Sequence, residues 1–270
     1  TYNNAFNLGA DASMNGANIS FNNTLDGAFA LALNSTGTTT FDQAVGATPL
    51  ASLLVAGGTL AVNGGSITTS GAQTYDAAIT LGGTTTLTGS ALDINNGISG
   101  NQNLNLVGND VGVNGSLGLN NVAVTGTGGN NTFALDTGAA QAWTINAADT
   151  SSLTSITGVA GTFALNNMQN INGGSGADSF ILNGGTLSGS INGGGGTNTM
   201  TADNVSNAWN ITGSNVGSVT GLGGVFSNIQ NLTGGSNNDS FTLAGGTVSG
   251  NIVGNGGNNS VVSGQVPESV

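Results

Sequence analysis

The chain has 270 residues, 37% of them hydrophobic, with 49 Gly, 12 acidic side chains (all Asp except Glu268) and no Lys, Arg, His or Cys. A formal net charge of −12 without a single side-chain cation excludes the phosphate neutralisation that nucleic-acid and anionic-lipid binding require. It also leaves no imidazole, thiolate, ammonium or guanidinium for catalysis, and no disulfide.

The first residues, Thr1-Tyr2-Asn3, follow no initiator Met and form no basic or apolar leader, so a processed product or a segment of something longer is expected. Residues 1–23 are polar and irregular and are expected to cap the fold or lend a strand to a neighbour. From Phe29 onward the hydrophobic pattern has period two in short bursts: Phe29, Leu31 and Leu33, then Leu60/Val62, Ile79/Leu81, Leu92/Ile94, Leu104/Leu106, Val111/Val113, Leu117/Leu119 and Val122/Val124. Each burst reads as a half-buried strand. Asn-Gly steps at Asn15, Asn63, Asn96, Asn114, Asn172, Asn183, Asn192 and Asn255 mark turns between them. Residues 139–148 come nearest to a helix, but Trp143-Thr144-Ile145 argues for strand. No apolar run approaches the roughly 18 residues of a membrane-spanning helix, so no membrane insertion is expected.

The second half repeats itself. Met168-Gln169-Asn170-Ile171, Asp178-Ser179-Phe180 and Gly184-Gly185-Thr186 return as Ile229-Gln230-Asn231-Leu232, Asp239-Ser240-Phe241 and Gly245-Gly246-Thr247, all at one constant offset. Ala142-Trp143-Thr144-Ile145 returns as Ala208-Trp209-Asn210-Ile211 at a slightly longer one. Gly128-Gly129-Asn130-Asn131, Gly195-Gly196-Thr197-Asn198 and Gly256-Gly257-Asn258-Asn259 read as three copies of one turn. Thr38-Thr39-Thr40-Phe41 resembles Thr84-Thr85-Thr86-Leu87 in a looser repeat of the first half.

Short strands, Gly/Asn turns and inexact repeats predict an all-β fold, a right-handed parallel β-helix (β-solenoid) forming a single elongated rod. Rungs of roughly 20 to 25 residues are expected, so that the longer repeat spans two or three of them. Asn at matching turns of successive rungs is expected to form amide ladders. The organisation predicted is a loosely repeated solenoid over 1–125, ~61-residue repeats over 126–262, and a polar tail over 263–270.

Ser66-Ile67-Thr68-Thr69-Ser70-Gly71-Ala72-Gln73-Thr74-Tyr75-Asp76 and the unit from Trp209-Asn210-Ile211 to Asn231-Leu232-Thr233-Gly234-Gly235 resemble repeat segments of large bacterial exoproteins of the filamentous-haemagglutinin type. The resemblance covers most of the chain. It implies bacterial origin, secretion, a β-helix and a role as an adhesin or surface fibre in attachment or biofilm. It names no ligand.

Gly173-Gly174-Ser175-Gly176-Ala177-Asp178-Ser179-Phe180-Ile181 resembles the calcium-binding nonapeptide of repeats-in-toxin proteins, and residues 234–242 repeat it with Asn237 in place of the third Gly. Calcium needs six to eight oxygens, and these copies are not in tandem. The favoured reading makes Asp178 and Asp239 corner residues, with Phe180 and Phe241 in the core. Calcium at Asp178 or Asp239 is the alternative, and no other cofactor is expected. No Asp-Asp or Asp-x-Asp pair occurs, so no catalytic residues are assigned and the chain is not expected to be an enzyme. Trp143 and Trp209 are expected in the core rather than as sugar platforms. The expected partners are further copies of the chain, joined end to end into a homo-oligomer or filament, with surface glycans as the alternative.

Overall fold

The computed structural model describes residues 1–154 and 156–264. The chain is all-β, a β-solenoid of about 13 turns, and among the described residues there is no helix. It divides into two compact units, one built from 1–131 with 157–163 and the other from 132–156 with 164–270.

In the first unit the chain visits three parallel sheets in strict rotation. Sheet one collects Phe6–Asn7, Leu25–Asp26, Val45–Leu50, Ser66–Thr69, Thr85–Thr88, Leu104–Val107 and Val122–Thr125. Sheet two collects Ala12–Gly16, Ala30–Ser35, Ser52–Ala56, Gln73–Tyr75, Ala91–Ile94 and Asp110–Asn114. Sheet three collects Ile19–Phe21, Thr38–Phe41, Thr59–Val62, Ala78–Leu81, Ile98–Ser99 and Leu117–Gly118. The registers Ile67↔Leu87, Gln73↔Leu92 and Ile79↔Ile98 set the length of one coil at 19 or 20 residues, at or just below the short end of the expected range. Residues 157–163 close this unit: Ala160 and Gly161 donate to the Leu119 and Asn120 carbonyls, and Thr162 donates to Asn121 Oδ1.

Period-two alternation sends one side chain in and the next out. The inward side chains stack in columns, such as Leu33, Val55, Tyr75, Ile94 and Val113 along sheet two. Phe21 and Phe41 adjoin on sheet three with ring centroids 5.7 Å apart. The column beside Tyr75 is interrupted by a buried amide, Gln73. Its Nε2 donates to the Thr88 carbonyl at 2.7 Å, and the Tyr75 hydroxyl donates to its Oε1 at 2.6 Å. The interruption is tolerated because both ends of the amide are paired.

The segment expected to cap the fold is part of the solenoid. Phe6–Asn7, Ala12–Gly16 and Ile19–Phe21 all belong to it, and Tyr2 stacks on Phe21 with ring centroids 4.9 Å apart. Their alternation (Phe6, Leu8, then Met14) was hidden by intervening Asn and Gly. The looser Thr repeat falls on different sheets, Thr38–Phe41 on sheet three and Thr85–Thr88 on sheet one. Of the expected tail, Ser263 ends a strand and residues 265–270, with Glu268, lie outside the described residues.

The second unit has two sheets. One carries Trp143: Phe163–Asn166, Thr150–Thr154, Ala142–Ala147, Ser179–Leu182, Thr199–Thr201, Asn231–Thr233 and Ile252–Val253, in spatial order. The other carries Trp209: Thr132–Asp136, Asn170–Asn172, Ile191–Asn192, Phe226–Ser227, Val216–Val219, Ala208–Gly213, Ser240–Leu243 and Ser260–Ser263. Ordinary coils alternate between them with the coil length of the first unit, as in Phe180↔Met200 and Ile171↔Ile191.

Twice the chain turns back within one sheet. Thr150–Thr154 runs antiparallel to Ala142–Ala147 and lies between it and Phe163–Asn166. Val216–Val219 likewise runs antiparallel to Ala208–Gly213 and lies between it and Phe226–Ser227. Each turn-back inserts two extra strands into a single sheet. The long repeat therefore advances two and a half coils rather than two or three whole ones, and its second copy lands on the opposite sheet. The extra height, about 9–10 Å per insert at the usual strand spacing, is added first to one sheet and then to the other.

Candidate functional site

The Gly-rich turn that recurs three times closes on one residue type at one position. In the first unit, Asn131 Oδ1 accepts the Gly128 N–H and its Nδ2 donates back to the Gly128 carbonyl, both at 2.9 Å. In the second unit, Asn198 Nδ2 donates to the Gly195 carbonyl and Asn259 Nδ2 to the Gly256 carbonyl, each at 2.9 Å. Asp178 and Asp239 occupy the same position of their own turns and are buried.

The turns stack into ladders. Asp178 Oδ1 accepts the Gln141 N–H at 2.7 Å, and the Asp178 N–H donates to Asn198 Oδ1 at 2.8 Å. The Asn198 N–H continues the ladder to Gln230 Oε1 at 2.6 Å. In the second copy, Asp239 Oδ1 accepts from both the Asn207 N–H (2.9 Å) and Asn207 Nδ2 (2.8 Å), and Asp239 Oδ2 accepts the Gly235 N–H (2.9 Å). The Asp239 N–H donates to Asn259 Oδ1 at 2.8 Å. Acid and amide thus alternate. An Asn beneath each Asp accepts its N–H without adding a second negative charge, which a chain lacking cations has no means to offset.

Asp136 stands at the edge of the first corner. It accepts the Ser175 hydroxyl at 2.8 Å and the Gly138 N–H at 2.9 Å, and these bonds hold its carboxyl below the usual range. Asp178 moves the other way. Burial pushes it up to about 6, against a pull from the Gln141 N–H and with a further push from Asp136. A split of this kind marks many acid/base couples. Here Asp178 is only 2% exposed, and both acids are held in the hydrogen bonds of the corner.

Both acids singled out in the sequence stand at corners, next to the buried Phe180 and Phe241. The two corners are separate, Asp178 with Gln141 and Asp239 with Asn207. Among the described residues no three acidic side chains gather. The indoles of Trp143 and Trp209 are buried and stack on those same two rings, with centroids 5.9 and 5.4 Å apart.

Several acids outside these corners also have donors. Asn63 Nδ2 donates to Asp42 and Asn95 Nδ2 to Asp76, each across one coil at 2.8 Å. Asp11 and Asp26 accept the N–H groups of Ala30 and Thr48. Asp149 accepts the Ser188 N–H at 2.7 Å and its hydroxyl at 2.9 Å. The expected amide ladders occur as Asn22 to Asn3 and Asn34 to Asn15. Sequence reasoning missed Gln141 and Asn207 as partners of the corner acids. Their signal was the matching place just before each Ala-Trp step.

Comparison of the chain with protein-family models, curated proteins and solved structures finds no match.

Proposed function

We propose that this β-solenoid is a structural segment or subunit of an extracellular bacterial fibre or adhesin, of the filamentous-haemagglutinin kind its repeats resemble, and that copies associate end to end. The observation that carries the reading is an exposed apolar strand at the last described coil of the second unit. Ser260–Ser263 is exposed along its whole length, with Val261 60% and Val262 50% exposed. It is an edge of its sheet, and from residue 240 through 264 no charged side chain guards it. Natural edge strands are normally blunted by charge, Pro or a bulge, and an apolar edge without these recruits another strand. At the other end of the sequence, Phe6–Asn7 and Ala12–Gly16 are likewise edge strands of their sheets. Parallel pairing of one end with the other is a heterologous contact, and heterologous contacts that do not close build filaments.

Electron microscopy with sedimentation of the purified chain tests this. Filaments, and a mass that grows with concentration, are expected. Isolated particles of constant mass at high concentration would end the fibre reading. A carbohydrate-binding module on the same scaffold is the second reading. It is favoured by a shallow hollow on the outer face of sheet two, lined by Asp11, Ser13, Ala30, Ala32, Ser52 and Leu54. A glycan array separates the two.

A further inference from the structure

We propose that the Asp178 corner is a proton-binding site, its carboxyl neutral in mildly acidic solution, and that the second unit gains stability when this proton is taken up. The two copies of the repeat supply an internal comparison. At Asp239 both carboxylate oxygens are served, by Asn207 N–H, Asn207 Nδ2 and Gly235 N–H. At Asp178 one oxygen accepts the Gln141 N–H, and Oδ2 is buried without a partner. Two donors are missing: no counterpart of the Gly235 N–H reaches Asp178 Oδ2, and the side-chain amide that also serves Asp239 Oδ1 is lost. Where the second copy has Asn207, the first has Gln141, longer by one methylene. Its Nε2 turns away to Thr137 Oγ1 at 3.2 Å, and its Oε1 is buried without a donor, as is Asn207 Oδ1 in the second copy. The corner therefore holds two unserved acceptors and lacks a hydrogen. A proton on Asp178 removes the buried charge and turns one of those acceptors into a donor.

The electrostatic surroundings favour the same state. Asp136 is the charged group acting on Asp178, and it is kept ionised by Ser175 and Gly138. The sequence contains no side-chain cation to oppose it. Burial is the largest influence, raising the carboxyl from 3.8 to about 6.

The sign follows from linkage. Between 3.8 and about 6 the folded chain holds a proton that the unfolded chain has lost. The stabilisation is greatest at the acid end of that window and declines as pH rises through it.

The test is a 13C titration of Asp-labelled protein, with the Asp178 carboxyl resonance assigned by its loss in Asp178→Asn, or through the backbone where that variant does not fold. A midpoint near 6 in the unaltered chain is expected, and a midpoint at or below about 4 would overturn the proposal. Gln141→Asn, which restores the side-chain donor that reaches Oδ1 in the second copy, is expected to lower the midpoint by stabilising the ionised carboxyl. No movement would overturn the role given to Gln141. In Asp178→Asn the decline in unfolding temperature between about pH 4.5 and 6.5 is expected to flatten, because the amide carries no proton to lose.

Discussion

At the scale of single residues, the absence of cations decides how every acid is handled. Each buried Asp sits at a turn and accepts main-chain N–H groups, and its coil neighbour is Asn (Asn198 below Asp178, Asn259 below Asp239). Replacing Asp239 by Asn turns an acceptor that serves three donors into a group with its own N–H bonds. One of them must then face the N–H of Gly235 or Asn207. An unsatisfied buried polar group costs about 1–3 kcal/mol, so Asp239→Asn is expected to destabilise by that amount in urea unfolding. The reverse change, Asn198→Asp, places a carboxylate against the Asp178 N–H and stacks two acids; a larger loss at pH 7 than at pH 4 is expected. Because no three acidic side chains gather among the described residues, millimolar calcium is expected to produce no calorimetric heat and no thermal shift beyond that of magnesium. A saturable calcium isotherm abolished by Asp178→Asn or Asp239→Asn would contradict the corner reading.

At the scale of elements, the strands were legible because alternation and Asn-Gly turns are local, and a coil consists of short local pieces joined by turns. The turn-back strands were not legible. Thr150–Thr154 and Val216–Val219 carry the same period-two pattern as their neighbours, and nothing in that pattern encodes whether a strand continues the coil or reverses. The difference between the Trp offset and the Asp offset lay in this loop, but a change of sheet cannot be read from length. The core position of the Trp indoles was legible because the repeat keeps each one paired with a Phe from the next coil, Phe180 or Phe241. Glycine at a coil corner is a separate element-scale constraint. Gly58 has φ 45°, and a Cβ there would meet the Gly37 carbonyl of the preceding coil. Non-glycine residues in this left-handed region carry about 1–3 kcal/mol of strain. Gly58→Ala adds a backbone collision to that strain and is expected to cost at least as much, read as a lowered urea midpoint. Gly83 has no neighbour within 4 Å of such a Cβ, and Gly83→Ala is expected to be nearly neutral.

At the scale of the whole molecule, cohesion comes from parallel main-chain pairing and thin apolar columns, and electrostatics oppose both folding and assembly. A net charge of −12 with no side-chain cation means that no side-chain ion pair within the chain is lost when salt is added. Raising ionic strength from about 0.01 M to about 0.15 M shortens the screening length from about 30 Å to about 8 Å, which weakens repulsion among acids spread over many coils. Folding stability at pH 7.5 is therefore expected to rise with salt, and end-to-end association with it, whereas a fold held by surface ion pairs weakens under the same change. The two effects separate through one edge residue. Val261 is 60% exposed on the last described strand, so Val261→Asp removes little packing within the chain but places a charge on the proposed joining edge. The variant is expected to keep the salt-dependent rise in unfolding midpoint and to sediment as a single species at every salt concentration. Filaments of unchanged length in Val261→Asp would move the joining contact to another surface. A stability that falls with salt would mean that the acids do not set the balance.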